Sequence, residues 1–444
     1  MFEQRFVSEQ PRSAEDGRGP YAIDRDRLLY ATSFARLAEV TQVISADHGY
    51  VFHNRLTHSL KVAQVARRLS EGLLHTQRTE VDNAGGLDPD AAEAAGLAHD
   101  LGHPPFGHIA EEELHDVMTE LGLKDKIPND GFEGNAQSFR LVTRLSVSDA
   151  VAQAGKTPLL AGLNLTRRTL NGILKYPWLA GPNNPKDNKW GSYKSEQDYF
   201  DFARAGFSFG ATVKSLEAEV MDWADDITYA VHDIIDFYCA GKIPLERFAE
   251  KNQIELKSFF EEVCSRKGNE KFKARESDYQ AAFLRVCDEV YKYSIRSRYG
   301  GTPKERSDLW QMMTVLITRF FGGLKVVSRP VQNNPLVSID RDREDEIAML
   351  KQLTWHYVIL RSDLATVQHG QRHMIRNVFE TLFRESAKNA KLFVAPYEQL
   401  LSGVNSPEGR LRLVADYVSG MTEAELIRMY QKLNGQKFTP LYPY

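Results

Sequence analysis

From Asp24 onward the apolar residues of this chain return every third or fourth position, and no run alternates convincingly over several strands. That period belongs to one face of an α-helix, and it confines the chain to an all-α architecture. Leu28, Leu29, Phe34 and Leu37 begin the pattern. HSLKVAQVARRLSEGLL (58–74) continues it, and DPDAAEAAGLAHD (88–100) opens on an Asp-Pro pair suited to a helix start. IAEEELHDVMTEL follows, with the acidic first turn that a helix N-terminus favours. Further helices are expected over 158–175, 215–240, 255–266, 277–296, 307–322, 343–361, 371–386 and 407–433. Only LFVAPY (392–397) reads as a short strand.

At 444 residues, 42% hydrophobic and 26% charged, the chain can bury a large core and has the balance of an ordinary globular protein. A net charge of -4 supplies no global basic field, so nucleic acid is not implied as an obligate partner. Cys239, Cys264 and Cys287 are odd in number and lack metal-ligand spacing, which points away from disulfides and towards a reducing cytoplasm. The polar start, MFEQRFVSEQPRSAEDGRGP, has no signal-like apolar stretch, and no run approaches the roughly 20 apolar residues of a membrane span. PWLAGPNNPKDNKWGSYKSEQD (177–198) is too long and too polar for a simple connection, and reads as a functional loop.

Eight of the twelve histidines lie between 48 and 115, and the search for chemistry starts there. His58 begins one helix and the adjacent pair His99-Asp100 ends another. Imidazole with carboxylate is a ligand set for transition metals or magnesium that leaves positions open for water and phosphate oxygen. A lone His-Asp dipeptide means little. Here it stands in the series HNRLTHSL, AHDLGHPPFGH and, far downstream, DWADDITYAVHD.

This series resembles the HD-domain phosphohydrolases. FARLAEVTQV, HNRLTHSL, HDLGHPPFGH, GFEGNAQSFR, GLNLTRRTLNGILKYPW and ADDITYAVHD stand in the order found in deoxyguanosine triphosphate triphosphohydrolases. The resemblance covers roughly 24–240 and thins beyond it. It implies an HD-domain core (24–240) with a helical C-terminal region packed on that core (241–444); the residues ahead of it (1–23) read as an arm with little intrinsic structure. It further implies one divalent metal ion, Mn²⁺ or Mg²⁺, on His58, His99, Asp100 and Asp225. Asp226 competes for the last place, but only Asp225 starts the family pattern Asp-x-x-x-Tyr-x-x-x-Asp, continued by Tyr229 and Asp233 on the same helix face.

The family cleaves a deoxynucleoside triphosphate, dGTP among them, to the deoxynucleoside and tripolyphosphate. By resemblance His108 and Glu111 form a catalytic pair, with His103 a less certain assistant. Spacing agrees, since Glu111 lies three residues beyond His108. Arg55, three residues before His58, shares its face if the helix starts early and offers a guanidinium to phosphate, and Lys175 and Tyr176 resemble family residues at the polyphosphate end. Tyr229 is placed to pack on the sugar, Asp233 to accept from its 3'-hydroxyl, and Gln42 and Val43 to stand beside sugar and base. A homo-oligomer is expected on the same ground; control by a nucleotide or single-stranded DNA effector, seen among relatives, is compatible with catalysis, but no basic-aromatic run demands it. The competing readings are an HD-type nucleotidase or phosphodiesterase and a non-catalytic nucleotide sensor. KYPW and GFEGNAQ argue against the first, and the complete ligand set with His108 and Glu111 against the second.

Overall fold

The computed structural model describes residues 1–9, 15–41, 54–147, 162–182, 184–186, 188–293, 295–360 and 362–436. Three helices open the fold, each with a start signal in its sequence. Helix α1 (Pro20–Tyr30) has proline in its first turn. In α2 (Arg55–Thr76) the Asn54 side chain accepts from the Thr57 amide, so the helix begins early enough to include Arg55. Asp88 accepts from the amides of Asp90 and Ala91 to open α3 (Pro89–Ala98). Its alanines at 91, 92, 94 and 95 are fully buried. A Cβ on Gly96 would stand 2.7 Å from the Ala63 Cα, so α2 and α3 lie nearly backbone to backbone.

Helix α4 (His108–Asp125) leaves the Gly/Pro-rich turn, α5 (Gly134–Arg140) is capped by Glu133, and α6 (Arg167–Ile173) by Thr166. Helix α7 (Leu216–Cys239), capped by Ser215, is buried along most of its length and threads the middle of the molecule. In the C-terminal half stand α8 (Pro303–Phe321), α9 (Arg341–Thr354), α10 (Ser362–Glu385), α11 (Pro407–Ser419) and α12 (Glu423–Leu433). A π-helical turn, Trp355–Ile359, extends α9. One small hairpin, β1 (Leu324–Val326) with β2 (Val337–Ile339), pairs Lys325 with Ser338 in antiparallel register.

Among the described residues three large hydrophobic clusters, with a small fourth one around Trp190 and Tyr193, hold these parts together. The largest runs from Val62 and Val65 of α2 through Trp223 and Ile227 of α7 to Phe320 and Leu350, so it spans both halves of the sequence. A second packs α1, α3 and α6 around Phe34, Leu97 and Phe139. In the third, Leu114, Val117 and Met118 of α4 meet Ile375, Phe379 and Leu382 of α10. The helix that opens on His108 is thus gripped by the C-terminal region.

The chain is all-α, as its periodicity required, and four local expectations need correction. LFVAPY is no strand: a 3₁₀ turn covers Ala390–Leu392, and Phe393 is buried against the third cluster. The stretch 407–433 is two helices, parted at Gly420 by a capping box between Thr422 and Glu425. Expected helix 158–175 is ordered as helix only over Arg167–Ile173 within its described part. The N-terminal arm is docked rather than loose. Arg5 bridges to Thr166, and its guanidinium donates 2.6 Å bonds to Asp24 Oδ1 and the Asn164 carbonyl. No helix among the described residues is long and apolar enough to cross a membrane.

Candidate metal centre and active site

Helices α2, α3 and α7 bring His58, His99 and Asp225 to one point. Their ligand atoms lie within 4.8 Å of one another. His58 Nε2 stands 3.0 Å, and His99 Nε2 3.7 Å, from Asp225 Oδ1. His99 caps α3 and gives its Nδ1 proton to the Gly96 carbonyl at 2.7 Å. That bond sets the tautomer and leaves Nε2 as a bare lone pair. The atom is buried and has no hydrogen-bond partner among the described residues. A lone pair facing a carboxylate oxygen, with no proton between them, is the environment a cation relieves; the donor set therefore fits a divalent metal ion.

Asp100 lies beside this group, its Oδ1 3.5 Å from His99 Nε2. The other oxygen accepts a 2.6 Å bond from Arg55 Nη1. Burial by itself raises the Asp100 carboxyl, but the charge of Arg55 and the two neighbouring histidines hold it well below the usual carboxylate range. Asp225 is likewise held well below its ordinary value against burial, by the charge of Lys175 and the bond to His58. Burial lowers His58, which keeps its ring neutral and able to donate a lone pair.

Asp226 points elsewhere. Its carboxylate pairs with Lys351 of α9, while Asp225 Oδ2 and Asp222 Oδ1 share the Lys175 ammonium at 2.9 and 2.8 Å. Asp222, Asp225 and Asp226 also stand close enough to hold an ion, but lysines already occupy the first and the last.

Beside the metal group stands a second polar cluster. His108 Nδ1 lies 3.1 Å from Glu111 Oε2 one turn along α4, and the His108 side chain is 69% exposed and open to a ligand. The Glu111 carboxylate is buried, with Oε1 accepting from Lys189 Nζ at 2.9 Å and from the Gly134 amide at 3.2 Å. Burial raises Glu111, but the His108 bond and the charges of His103 and Lys189 bring it well below its ordinary value. His103 sits between the clusters, Nδ1 3.1 Å from Asp100 Oδ1 and Nε2 3.7 Å from Glu111 Oε2. Burial, helped by Arg55, lowers His103 to about 4, so it is neutral near pH 7.

The turn that carries these histidines depends on glycine. Gly107 has φ +62°, and a Cβ there would come within 2.9 Å of Arg55 Nη2. A Cβ on Gly102 would fall 2.2 Å from the Gly134 carbonyl. Phe106, just before Gly107, adopts φ +68°, a costly conformation for a bulky residue and one that concentrates at working sites.

The remaining expected site residues divide. Arg55 is fully buried, and its Nε and Nη2 have no acceptor among the described residues, so two donors stand ready for an anion. Lys175 is spent on Asp225 and Asp222, whereas Tyr176 turns to Lys186, whose ammonium lies 5.3 Å from the ring. Tyr229 follows Asp225 along α7, with Lys351 Nζ 5.8 Å from its ring. Asp233 is buried and its Oδ2 has no partner among the described residues. Burial and the charges of Asp236 and Asp225 push its carboxyl well above the ordinary value. Gln42 and Val43 lie outside the described residues.

Sequence reasoning missed Lys189 and Glu133. Lys189 comes from the loop 177–198 and bridges Glu111 to Glu133, whose Oε1 lies 3.1 Å away. Glu133 is 1% exposed and also caps α5 through the Ala136 amide. GFEGNAQ and the loop had each been marked as motifs, yet no spacing rule connects a residue of one with a residue of the other.

The chain is similar to known proteins over most of its length. The HD domain model matches residues 55–168, and a model described as phosphohydrolase-associated domain matches residues 337–432. A deoxyguanosinetriphosphate triphosphohydrolase-like protein of Corynebacterium efficiens is 32% identical, the alignment covering 97% of this chain and 96% of that one. Proteins of the same description from Streptomyces coelicolor and Caulobacter vibrioides are each 31% identical, over 94% and 97% of this chain and 93% of each of them.

Proposed function

Because the chain belongs to the deoxyguanosinetriphosphate triphosphohydrolase-like proteins, which carry the HD domain, we propose that it hydrolyses deoxynucleoside triphosphates to deoxynucleoside and tripolyphosphate. The observation that carries the reading is the orphaned His99 Nε2 facing Asp225 and His58, with the open His108 and buried Glu111 one cluster away. In this reading His58, His99, Asp100 and Asp225 hold the ion, Mn²⁺ or Mg²⁺, and a divalent ion there supplies Lewis-acid polarisation of the α-phosphoryl oxygen.

The protein's own groups do the rest. Arg55 offers Nε and Nη2 to a phosphate oxygen, and neither donor has an acceptor among the described residues. Glu111 fixes the proton of His108 on Nδ1, which leaves Nε2 to exchange a proton with the attacking water or with the departing 5'-oxygen. A 5'-alkoxide leaves poorly unless protonated, so this exchange accounts for a histidine that is exposed yet oriented by a buried carboxylate. Lys189 keeps Glu111 anionic and ties the 177–198 loop to the catalytic pair. Tyr229 packs against C2' of the sugar and leaves a 2'-hydroxyl without a partner, an exclusion of roughly 1–3 kcal/mol. Asp233 takes the 3'-hydroxyl.

Product analysis decides the matter. Purified protein incubated with each deoxynucleoside triphosphate and Mn²⁺ or Mg²⁺ is expected to release tripolyphosphate and the free deoxynucleoside, and to leave GTP largely intact. Release of orthophosphate or pyrophosphate instead would assign the site to another branch of HD chemistry. Equal hydrolysis of dGTP and GTP would overturn the sugar pocket while sparing the metal centre.

A further inference from the structure

The turn 101–107, which sets His103 and His108, is held by two side chains from outside the stretch that matches the HD domain. The first is Arg36, at the end of the short helix Thr32–Arg36. Its Nη2 donates at 2.8 Å to the carbonyls of Leu101 and His103, and its Nη1 at 3.0 Å to those of Ser419 and Met421. One nitrogen holds the turn and the other holds the junction between α11 and α12. The Ser419 carbonyl is the last of α11, so it has no partner within the helix. All four Nη protons are used, and among the described residues no carboxylate pairs with Arg36.

The second is Glu423, the first residue of α12. Its Oε1 accepts from the Thr41 amide at 2.8 Å and from the Phe106 amide at 3.3 Å. Phe106 is the residue with φ +68°, and its side chain packs against the third hydrophobic cluster. A bulky residue keeps that conformation only where its surroundings over-determine it. The ring packing and the Glu423 bond supply that constraint. Helix α4 then starts on His108, so the position of the catalytic pair follows from where this turn is held. A shift of about 1 Å at a catalytic group costs on the order of 10²-fold in rate.

We propose that Arg36 and Glu423 are positioning residues for the reaction. They lock the turn 101–107 to the α11–α12 junction, so the C-terminal region sets where His103 and His108 stand. The inference rests on the catalytic role proposed for His108.

Full-length wild type, Glu423→Ala, Glu423→Gln and Arg36→Lys, each with Mn²⁺, are compared by metal content, by kcat and KM for dGTP, and by hydrogen–deuterium exchange of the peptide 101–108. Metal content should stay at the wild-type level. Glu423→Ala should lose about 10–100-fold in kcat with KM within threefold, and its peptide should exchange at least tenfold faster. Glu423→Gln keeps an acceptor oxygen for the two amides and should restore both readings to within threefold of wild type. Arg36→Lys keeps the charge but not the fork, and should fall as Glu423→Ala does. Wild-type kcat in Glu423→Ala or Arg36→Lys overturns the proposal, as does a loss of metal in step with kcat, or a Glu423→Gln as impaired as Glu423→Ala. Circular dichroism checks folding; if Arg36→Lys is unfolded, the two Glu423 variants decide. Should wild type turn over no deoxynucleotide, the proposed reaction fails and exchange alone decides the clamp: equal rates in wild type and Glu423→Ala overturn it.

Discussion

Glu346 and Asp225 are both carboxylates set among the helices of one body, and their surroundings follow different rules. Glu346 on α9 is fully buried, and both oxygens are filled: Arg285, Arg319 and Arg343 donate to it at 2.7 to 3.0 Å. Asp225 keeps 19% of its side chain exposed, satisfies Oδ2 with Lys175, and turns Oδ1 to two histidines, one of which has no partner for its lone pair. The first cluster is closed and the second is open. A closed cluster holds helices in place, because breaking it strands a buried charge. An open one stores unmet valences, and those are where a ligand contributes.

The sharpest way to break this comparison is to remove each carboxylate. Asp225→Ala is expected to lose bound metal, read by elemental analysis, and with it all measurable turnover, while unfolding near the wild-type midpoint. Glu346→Gln should do the reverse, costing about 3–5 kcal/mol in denaturant titration with metal content and turnover per folded molecule unchanged. If Asp225→Ala keeps its metal, the open cluster is not the metal centre.

Next in size is His108→Ala, for which a rate loss of about 10²–10⁴ is expected with metal content intact. A kcat within a fewfold of wild type would pass its role to His103. Lys189→Met should cost less, roughly 10–100-fold in turnover, the range of groups that orient a catalytic residue. Restoration by Lys189→Arg would point to charge at Glu111, and no recovery to the shape of the loop.

Acid separates the clusters further. Burial raises the Glu346 carboxyl, but its three arginines hold it below its ordinary value of 4.5. A depressed folded-state pKa means that the unfolded chain binds the proton more readily. The stability Glu346 contributes is therefore complete above pH 4.5 and lost as pH falls through its lower folded value. The gap in unfolding free energy between wild type and Glu346→Gln should accordingly be widest near pH 7 and narrow towards pH 3, as denaturant titrations at the two pH values would report. The smallest effect is expected from Asp226→Ala. It removes the pair with Lys351, leaves metal content at the wild-type level, and changes turnover only a fewfold; loss of the metal would revive Asp226 as a ligand.

Most helices were legible because their causes are local. Asn54, Asp88, Ser215 and Thr302 cap the helices that follow them, and each cap acts within the next three residues. The break inside 407–433 was also written in the chain, as Thr422 with Glu425, and was overridden by the apolar period on either side. The docked arm was not readable, since residues 1–9 owe their order to Asn164, Thr166 and Asp24. The hairpin at 324–339 was missed because three-residue strands are too short to show alternation.

What the sequence determined by itself are relations within one helix: His108 with Glu111, and the Asp225, Tyr229 and Asp233 stripe. The reason is that backbone hydrogen bonding repeats every 3.6 residues whatever lies outside the helix. Only the tertiary structure decided that Asp225 meets His58 across 167 positions, that Lys351 takes Asp226 across 125, and that Lys189 reaches Glu111 across 78. Those meetings depend on how closely helices cross. The crossing is set by small residues such as Gly96 against Ala63 and by the loops that return each helix to its neighbour, neither of which leaves a periodic mark in the chain.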